Sequence, residues 1–278
     1  MLGQRIVTAV VLLALLLPAL FVADPLPFAL LTLVLIAAAG WEWGRLNGAS
    51  LPIALLLGAL VVAAGAAFVQ AKLRPEQQAA VWQSGAALWL AGGALALRIG
   101  PGGWPRVPLL LRWAIGVALL ATGWAAIATA RVAGVNFLLS VLCIVWAADI
   151  AAYFGGRAFG RRKLAPTISP GKSWEGVVAG MLGVAALALA WLWLEARWPV
   201  DSASVFRLLL QRLGAAGLAV ALVLLAGLSV VGDLFESLVK RAAGAKDSSR
   251  LLPGHGGVLD RIDALLPVLP AALALVTL

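Results

Sequence analysis

Charged residues are scarce in this sequence of 278 residues: they make up 12% of it, whereas 63% of the residues are hydrophobic. An average soluble domain is about a quarter charged and about half apolar. A water-soluble domain of this length has too little interior to hide so much apolar surface. Together with a mean hydropathy of +1.02, this composition excludes a soluble globular enzyme and a disordered chain. It indicates a protein with several membrane spans.

Cysteine and histidine are nearly absent, with one residue of each. Cys143 lies in an apolar run and has no partner within the chain, which excludes a disulfide scaffold. The formal net charge is +9, but the basic residues are scattered between apolar runs, so we do not expect nucleic acid as a partner. Basic loops at the cytoplasmic face of a membrane protein explain the charge better.

Nine apolar runs approach the length of about 20 residues that a spanning helix needs. They are 6–23, 26–43, 51–69, 79–97, 113–130, 135–154, 176–194, 213–239 and 263–278. These runs predict an all-α fold: a polytopic transmembrane helical bundle of about nine spans with an active-site cavity at the cytoplasmic face. We interpret the first run as a retained helix rather than a signal peptide, because a second run follows almost at once.

The basic residues are divided unequally between the two sides of this bundle. The side of the N-terminus and of the loops after spans two, four, six and eight holds fifteen of the 21 lysines and arginines. The positive-inside rule places that side in the cytoplasm. We therefore predict an N-terminal region of about five spans, 1–130, and a catalytic region, 131–278. The catalytic region carries two long polar cytoplasmic loops, 155–175 and 240–262.

The end of span eight carries an unusual set of polar residues. On a helix Ser229, Asp233, Ser237 and Lys240 share one stripe, with Glu236 beside it. Carboxylates in a membrane helix are costly and are by default functional. The alternative is an ion pair of Asp233 or Glu236 with Lys240 that only ends the helix at the interface.

The loop that follows indicates a phosphate or metal site. Gly256 and Gly257 follow the single histidine, His255, and glycine lets backbone N–H groups approach phosphate oxygens closely. Asp260 and Asp263 are three residues apart, so both face one site if a helix begins there. Carboxylate oxygens and phosphates are the ligands that Mg²⁺ prefers.

The other loop begins with an acidic residue, Asp149, inside an apolar helix. Further on, Gly171, Lys172 and Ser173 imitate the end of a P-loop, but Pro166 stands where the first glycine of that motif belongs. We reject a P-loop and keep a phosphate-binding loop before a helix start, with a merely solvated basic loop as the alternative. Because both loops lie on one side of the membrane, one site built from both is expected.

Residues 237–263 carry a pattern that resembles the signature of phosphatidate cytidylyltransferases (CDP-diacylglycerol synthases). Its positions are Ser237, 239–241, Lys246, Asp247, Ser249, Leu252, Pro253, 255–258 and 260–263. The segment 169–176 is similar to that family too, except that Gly171 stands where members usually carry a lysine. Residues 1–130 resemble the family only in hydropathy.

The resemblance implies an enzyme that converts CTP and phosphatidate into CDP-diacylglycerol and pyrophosphate. It also implies a multi-pass protein of a bacterial inner membrane that forms a homodimer. The implied cofactor is Mg²⁺, with K⁺ as a second candidate. We expect Asp233, Asp260 and Asp149 to be metal ligands, and Asp233, Lys240, Asp260 and Asp263 to be catalytic. The residues expected to bind the nucleotide are Lys172, Ser173, Ser237, Arg241, Lys246, Asp247, His255, Gly256, Gly257 and Arg261.

Two other functions stay open at this point. A CTP-dependent lipid kinase of the dolichol or phytol type would transfer the γ-phosphate of CTP to a lipid. An ion-coupled transporter would use Asp149 and Asp233 as coupling sites. The polar residues collect in the loops of one face rather than at mid-membrane, which argues against the transporter.

Overall fold

The computed structural model describes residues 2–278, which are mostly helical. The helices are α1 (Leu2–Phe21), α2 (Leu26–Leu46), α3 (Leu51–Gln70), α4 (Pro75–Gly103), α5 (Leu109–Ala133), α6 (Val135–Phe159), α7 (Trp174–Glu195), α8 (Val205–Ala242), α9 (Leu259–Ile262) and α10 (Leu265–Val276). A short 3-10 helix, Trp104–Arg106, follows α4, and two strands, β1 (Lys163–Ala165) and β2 (Ser169–Ser173), lie between α6 and α7.

Helices α2 to α8 are each long and apolar enough to cross a membrane, which confirms the polytopic helical fold. The apolar part of α1, Ile6–Phe21, is shorter. The run 263–278, predicted as the ninth span, forms the 12-residue helix α10 instead. At about 1.5 Å per residue α10 is far shorter than the hydrocarbon core of about 30 Å. Almost all of its residues are buried, because its apolar side chains pack against α4, α5 and α8.

A single glycine divides the 38-residue helix α8. Gly214 has a φ of 68°, which only glycine adopts at little cost, and the helical direction is broken there. The part of α8 after this break corresponds to the predicted eighth span, 213–239. It runs without further interruption to Ala242 and carries the polar stripe at its end.

One end of the bundle, here called the loop face, gathers the C-terminal ends of α2, α4, α6 and α8. The indole Nε1 of Trp104, after α4, donates to Oδ1 of Asn47, after α2, over 2.9 Å. The guanidinium Nε of Arg241 in α8 donates over 3.4 Å to the carbonyl of Ile168, between β1 and β2. The two predicted loops therefore lie on the same face.

The opposite face is closed by its own hydrogen bonds. The carboxylate of Asp201 accepts from the backbone N–H groups of Val135, at 2.5 Å, and Asn136, at 2.9 Å, and so caps the start of α6. Although partial burial alone would raise the pKa of Asp201, the N–H groups of Asn136 and Val135 outweigh it and lower the pKa. Arg131 at the end of α5 donates to the carbonyl of Val22, after α1.

The loop predicted at 155–175 contains a β-hairpin that the sequence did not indicate. Strands β1 and β2 pair antiparallel, with Lys163 opposite Ser173 and Ala165 opposite Ser169. The Glu175 carboxylate accepts from the backbone N–H groups of Arg161 and Arg162, which fixes the base of the hairpin. The hairpin thereby holds β2 beside the start of α7.

Gly232 allows α8 to pack directly on the start of α10. A Cβ at this position would overlap the Asp263 carbonyl oxygen and lie 2.9 Å from Pro267 Cγ. We expect Gly232→Ala to lower the free energy of unfolding by about 1–3 kcal/mol, because backbone on the other side must move.

Gly227→Ala is the matched control, since a Cβ at that position of α8 meets nothing within 4 Å. Thermal unfolding of both variants in detergent checks the expectation. Equal melting temperatures for the two variants would contradict the close contact between α8 and α10.

Candidate active site

A cavity of about 470 Å³ lies between α6, α7, α8 and β2 near the loop face. Its polar lining comprises Asp149, Tyr153 and Arg157 from α6, Ser169, Lys172 and Ser173 from β2, and Asp233 from α8. Its other walls are apolar or small and include Val177, Met181 and Val230. The cavity therefore joins a charged mouth to an apolar wall within the membrane-spanning helices.

The charged mouth is built around an ion pair between β2, in the predicted loop 155–175, and α8. Lys172 Nζ lies 2.6 Å from Asp233 Oδ2, and both side chains are partly exposed, at 25% and 30%. The hydroxyl of Ser237, one turn along α8, donates to Asp233 Oδ1 over 3.2 Å. Of the two ion pairs with Lys240 considered from sequence, the structure contains that of Glu236, whereas Asp233 pairs with Lys172 instead.

Asp149 shares this cavity from the side of α6. Its side chain is exposed, and none of the ion pairs in residues 2–278 includes it. Tyr153 and Arg157 follow on the same wall, where Arg157 Nη1 lies 3.4 Å from the Tyr153 hydroxyl. A free carboxylate thus faces a cavity that also holds basic groups.

A second charged cluster surrounds Lys240. Its ammonium contacts Glu236 and lies 2.6 Å from Asp260 Oδ1. The Asp260 Oδ2 atom accepts from the backbone N–H groups of Ser248, at 2.9 Å, and Gly257, at 2.8 Å. Burial alone would raise the pKa of Asp260, but the hydrogen bonds from Lys240 and Gly257 outweigh it and hold the pKa at about 2. Asp260 is therefore ionised at neutral pH.

The glycine-rich turn is closed largely by its own residues. Gly256 has a φ of 86°, and its carbonyl accepts from the backbone N–H of Leu252 over 2.8 Å. The Arg261 guanidinium donates over 2.6 Å to the carbonyl of His255. Because the backbone N–H of Gly257 donates to Asp260, this turn fixes the position of the Asp260 side chain.

The remaining residues predicted to belong to the site do not form a single cluster in the structure. Ser173 caps α7 by accepting from the Gly176 N–H over 3.2 Å, while Lys246 and Asp247 are exposed in the loop. Arg241 supports the hairpin through Ile168, as described above. Asp263 accepts from the Ala264 N–H over 2.8 Å, and burial and the nearby Asp233 carboxylate raise the pKa of Asp263.

The carboxylates fit a Mg²⁺ ion that is bound partly by the protein and partly by substrate phosphates, rather than one that is enclosed by protein ligands alone. Within the described residues no group of three or more His, Cys, Asp or Glu side chains is arranged to hold a metal ion. Asp149 and Asp233 nevertheless offer oxygen donors to one cavity, and Mg²⁺ commonly uses one or two carboxylates together with substrate phosphates. Asp260 already has Lys240 on one oxygen and backbone N–H groups on the other.

Sequence reasoning missed Glu42 in α2 and Ser248 in the loop, which contact one another. Glu42 is fully buried, and its carboxylate accepts from the Ser248 hydroxyl over 3.2 Å. The available signal was that Glu42 is the only acidic residue in the apolar run 26–43. An ionisable residue in such a run calls for a partner.

Comparisons with known proteins identify the family of this chain. The model of the cytidylyltransferase family matches residues 3–278, so the prediction that the first 130 residues resemble the family only in hydropathy is wrong. A phosphatidate cytidylyltransferase of Pseudomonas aeruginosa is 39% identical over 99% of this chain and 97% of its own length. One of Haemophilus influenzae is 35% identical over 97% and 96% of the two chains. One of Brucella suis is 48% identical over 48% of this chain and 43% of its own.

Proposed function

The chain belongs to the cytidylyltransferase family, and we infer that it is a membrane-embedded enzyme that converts CTP and phosphatidate into CDP-diacylglycerol and pyrophosphate. A phosphatidate oxygen forms a bond to the α-phosphorus of CTP, and the bond from that phosphorus to the β-phosphate oxygen breaks. The nucleophile is already an anion, so the reaction needs no strong general base.

The observation that carries this function is the cavity whose charged mouth joins an apolar wall. CTP is water-soluble, whereas phosphatidate keeps its acyl chains in the bilayer. A site for both must lie at the membrane surface and open in both directions. The position of the Lys172–Asp233 pair at the end of three spanning helices meets that requirement.

The chemical difficulty is the repulsion between two polyanions, and the basic side chains of the site address it. Lys172 and Arg157 line the cavity and supply positive charge where the phosphates meet. Lys240, Arg241 and Lys246 are the further candidates for holding phosphate groups. Mg²⁺ held by Asp233, with Asp149 and Asp260 as additional ligands, would polarise phosphate oxygens and offset the charge of the leaving pyrophosphate.

The orientation and assembly follow as part of the proposal. The unequal distribution of Lys and Arg supports a cytoplasmic loop face, where CTP is available. The bacterial relatives support an inner-membrane location. A homodimer and the use of K⁺ stay predictions of the family resemblance.

Labelled CTP distinguishes this function from that of a lipid kinase. Purified protein with Mg²⁺ and phosphatidate is expected to move label from the α-phosphate of CTP into lipid and to leave the γ-phosphate label in pyrophosphate. Label from the γ-phosphate in the lipid would instead identify a CTP-dependent kinase. Heat-inactivated protein gives the background of the assay.

A further inference from the structure

Glu42 is a buried carboxylate whose hydrogen-bond partners all come from one distant loop segment. Its Oε1 accepts from the Ser249 hydroxyl, at 2.5 Å, and the Val258 N–H, at 3.0 Å. Its Oε2 accepts from the Ser248 hydroxyl, at 3.2 Å, and the Leu259 N–H, at 2.7 Å. Both oxygens of a side chain in α2 are thus used to hold 248–259, here called the clamped segment.

Among the side chains that the structure describes, those of residues 3, 4 and 6–278, none forms an ion pair with Glu42. The donors of the clamped segment stabilise its charge, and a buried charge is costly unless its hydrogen bonds are complete. Position 257 also requires glycine, because a Cβ there would overlap Glu42 Oε1 and Ser248 Oγ. Glu42 therefore fixes one conformation of the clamped segment.

The same segment positions Asp260. The single hydroxyl proton of Ser248 is shared between Glu42 Oε2, at 3.2 Å, and Asp260 Oδ2, at 2.8 Å. The Gly257 N–H donates to Asp260, while the next residue, Val258, donates to Glu42. A displacement of the segment from Glu42 would therefore remove hydrogen-bond donors from Asp260 Oδ2. The other oxygen of Asp260, Oδ1, contacts Lys240.

We propose that Glu42 is a positioning residue for the cytidylyl transfer: it holds the clamped segment so that Asp260 and Lys240 keep their places in the active site. The proposal rests on the proposed function for the role of Asp260 and Lys240. It assigns a task in the reaction to the N-terminal helices, which carry none of the family signature.

The test compares Glu42→Gln with Glu76→Gln, a control at an exposed glutamate at the start of α4. An amide keeps the size but cannot accept from all four donors. Without substrate or metal, we expect hydrogen exchange in the clamped segment to become at least tenfold faster in Glu42→Gln, and exchange in α5 and α6 to stay unchanged. We also expect kcat to fall at least tenfold and the half-saturating Mg²⁺ concentration to rise, with KM for phosphatidate within twofold.

Unchanged exchange in the clamped segment would overturn the proposal, and so would faster exchange along the whole chain, which would assign Glu42 to stability alone. If Glu42→Gln yields no folded protein, Ser249→Ala decides, since it removes one donor from Glu42: exchange equal to that of the parent chain overturns the proposal. Failure of the parent chain to form CDP-diacylglycerol would contradict the proposed function, whereas the exchange comparison reports on the clamp itself.

Discussion

Asp233→Asn is expected to lower kcat on the order of 10²-fold or more in the Mg²⁺-dependent reaction. Asp233 lies in α8, lines the cavity and forms an ion pair with Lys172 of β2. The amide keeps the shape and the hydrogen bond to Ser237, but it loses the charge that a metal ion and Lys172 require. Losing an electrostatic contact of this kind typically costs several kcal/mol of transition-state stabilisation.

Asp24→Asn provides the matched control on the opposite face. Asp24 accepts from the Leu26 N–H over 2.9 Å, and asparagine can make the same bond. We expect this variant to keep its activity within twofold. Steady-state assays at saturating CTP and phosphatidate measure both variants. Near-normal turnover of Asp233→Asn would show that the assignment of this carboxylate is wrong.

Lys240→Met is expected to abolish detectable turnover and also to destabilise the fold. The ammonium contacts two buried carboxylates, Glu236 and Asp260, whose side chains are 4% and 6% exposed. Methionine has a similar length but no charge, so both acids lose their counter-ion. Breaking a buried ion pair from one side costs about 3–5 kcal/mol.

A double variant separates the two roles of Lys240. Adding Glu236→Gln to Lys240→Met removes one of the two buried acids that have lost their counter-ion, so part of the lost stability should return. Activity should not return, because Asp260 still lacks Lys240. Thermal unfolding in detergent and turnover of the single and double variants provide the comparison. Recovery of turnover together with stability would restrict Lys240 to a structural role.

The spans and the shared face of the two loops could be predicted because hydropathy and charge are local properties of the sequence. Asp233 and Lys172 were both found in this way, since Asp233 is a charged residue inside an apolar run and Lys172 lies just before another. Their location on one face could also be anticipated, because an even number of spans separates the two loops. The ion pair between them could not, because Lys240 in the same helix was also a candidate partner of Asp233.

The hairpin, α10 and the Glu42 clamp depend on tertiary contacts that local patterns do not carry. Strands β1 and β2 are three and five residues long, and β2 contains Pro170 and Gly171, which strands disfavour. The run 263–278 has the hydropathy of a span, yet its neighbours make it a core helix. Glu42 meets partners more than 200 positions away, so only the fold reveals them.

Pyrophosphate release by the purified protein tests the central claim most directly, because it requires that one site bring CTP, phosphatidate and a metal ion together. With all three present, we expect one pyrophosphate for each CDP-diacylglycerol formed, and no release when any one of them is left out. Release that continues without phosphatidate, or lipid product without pyrophosphate, would contradict the account.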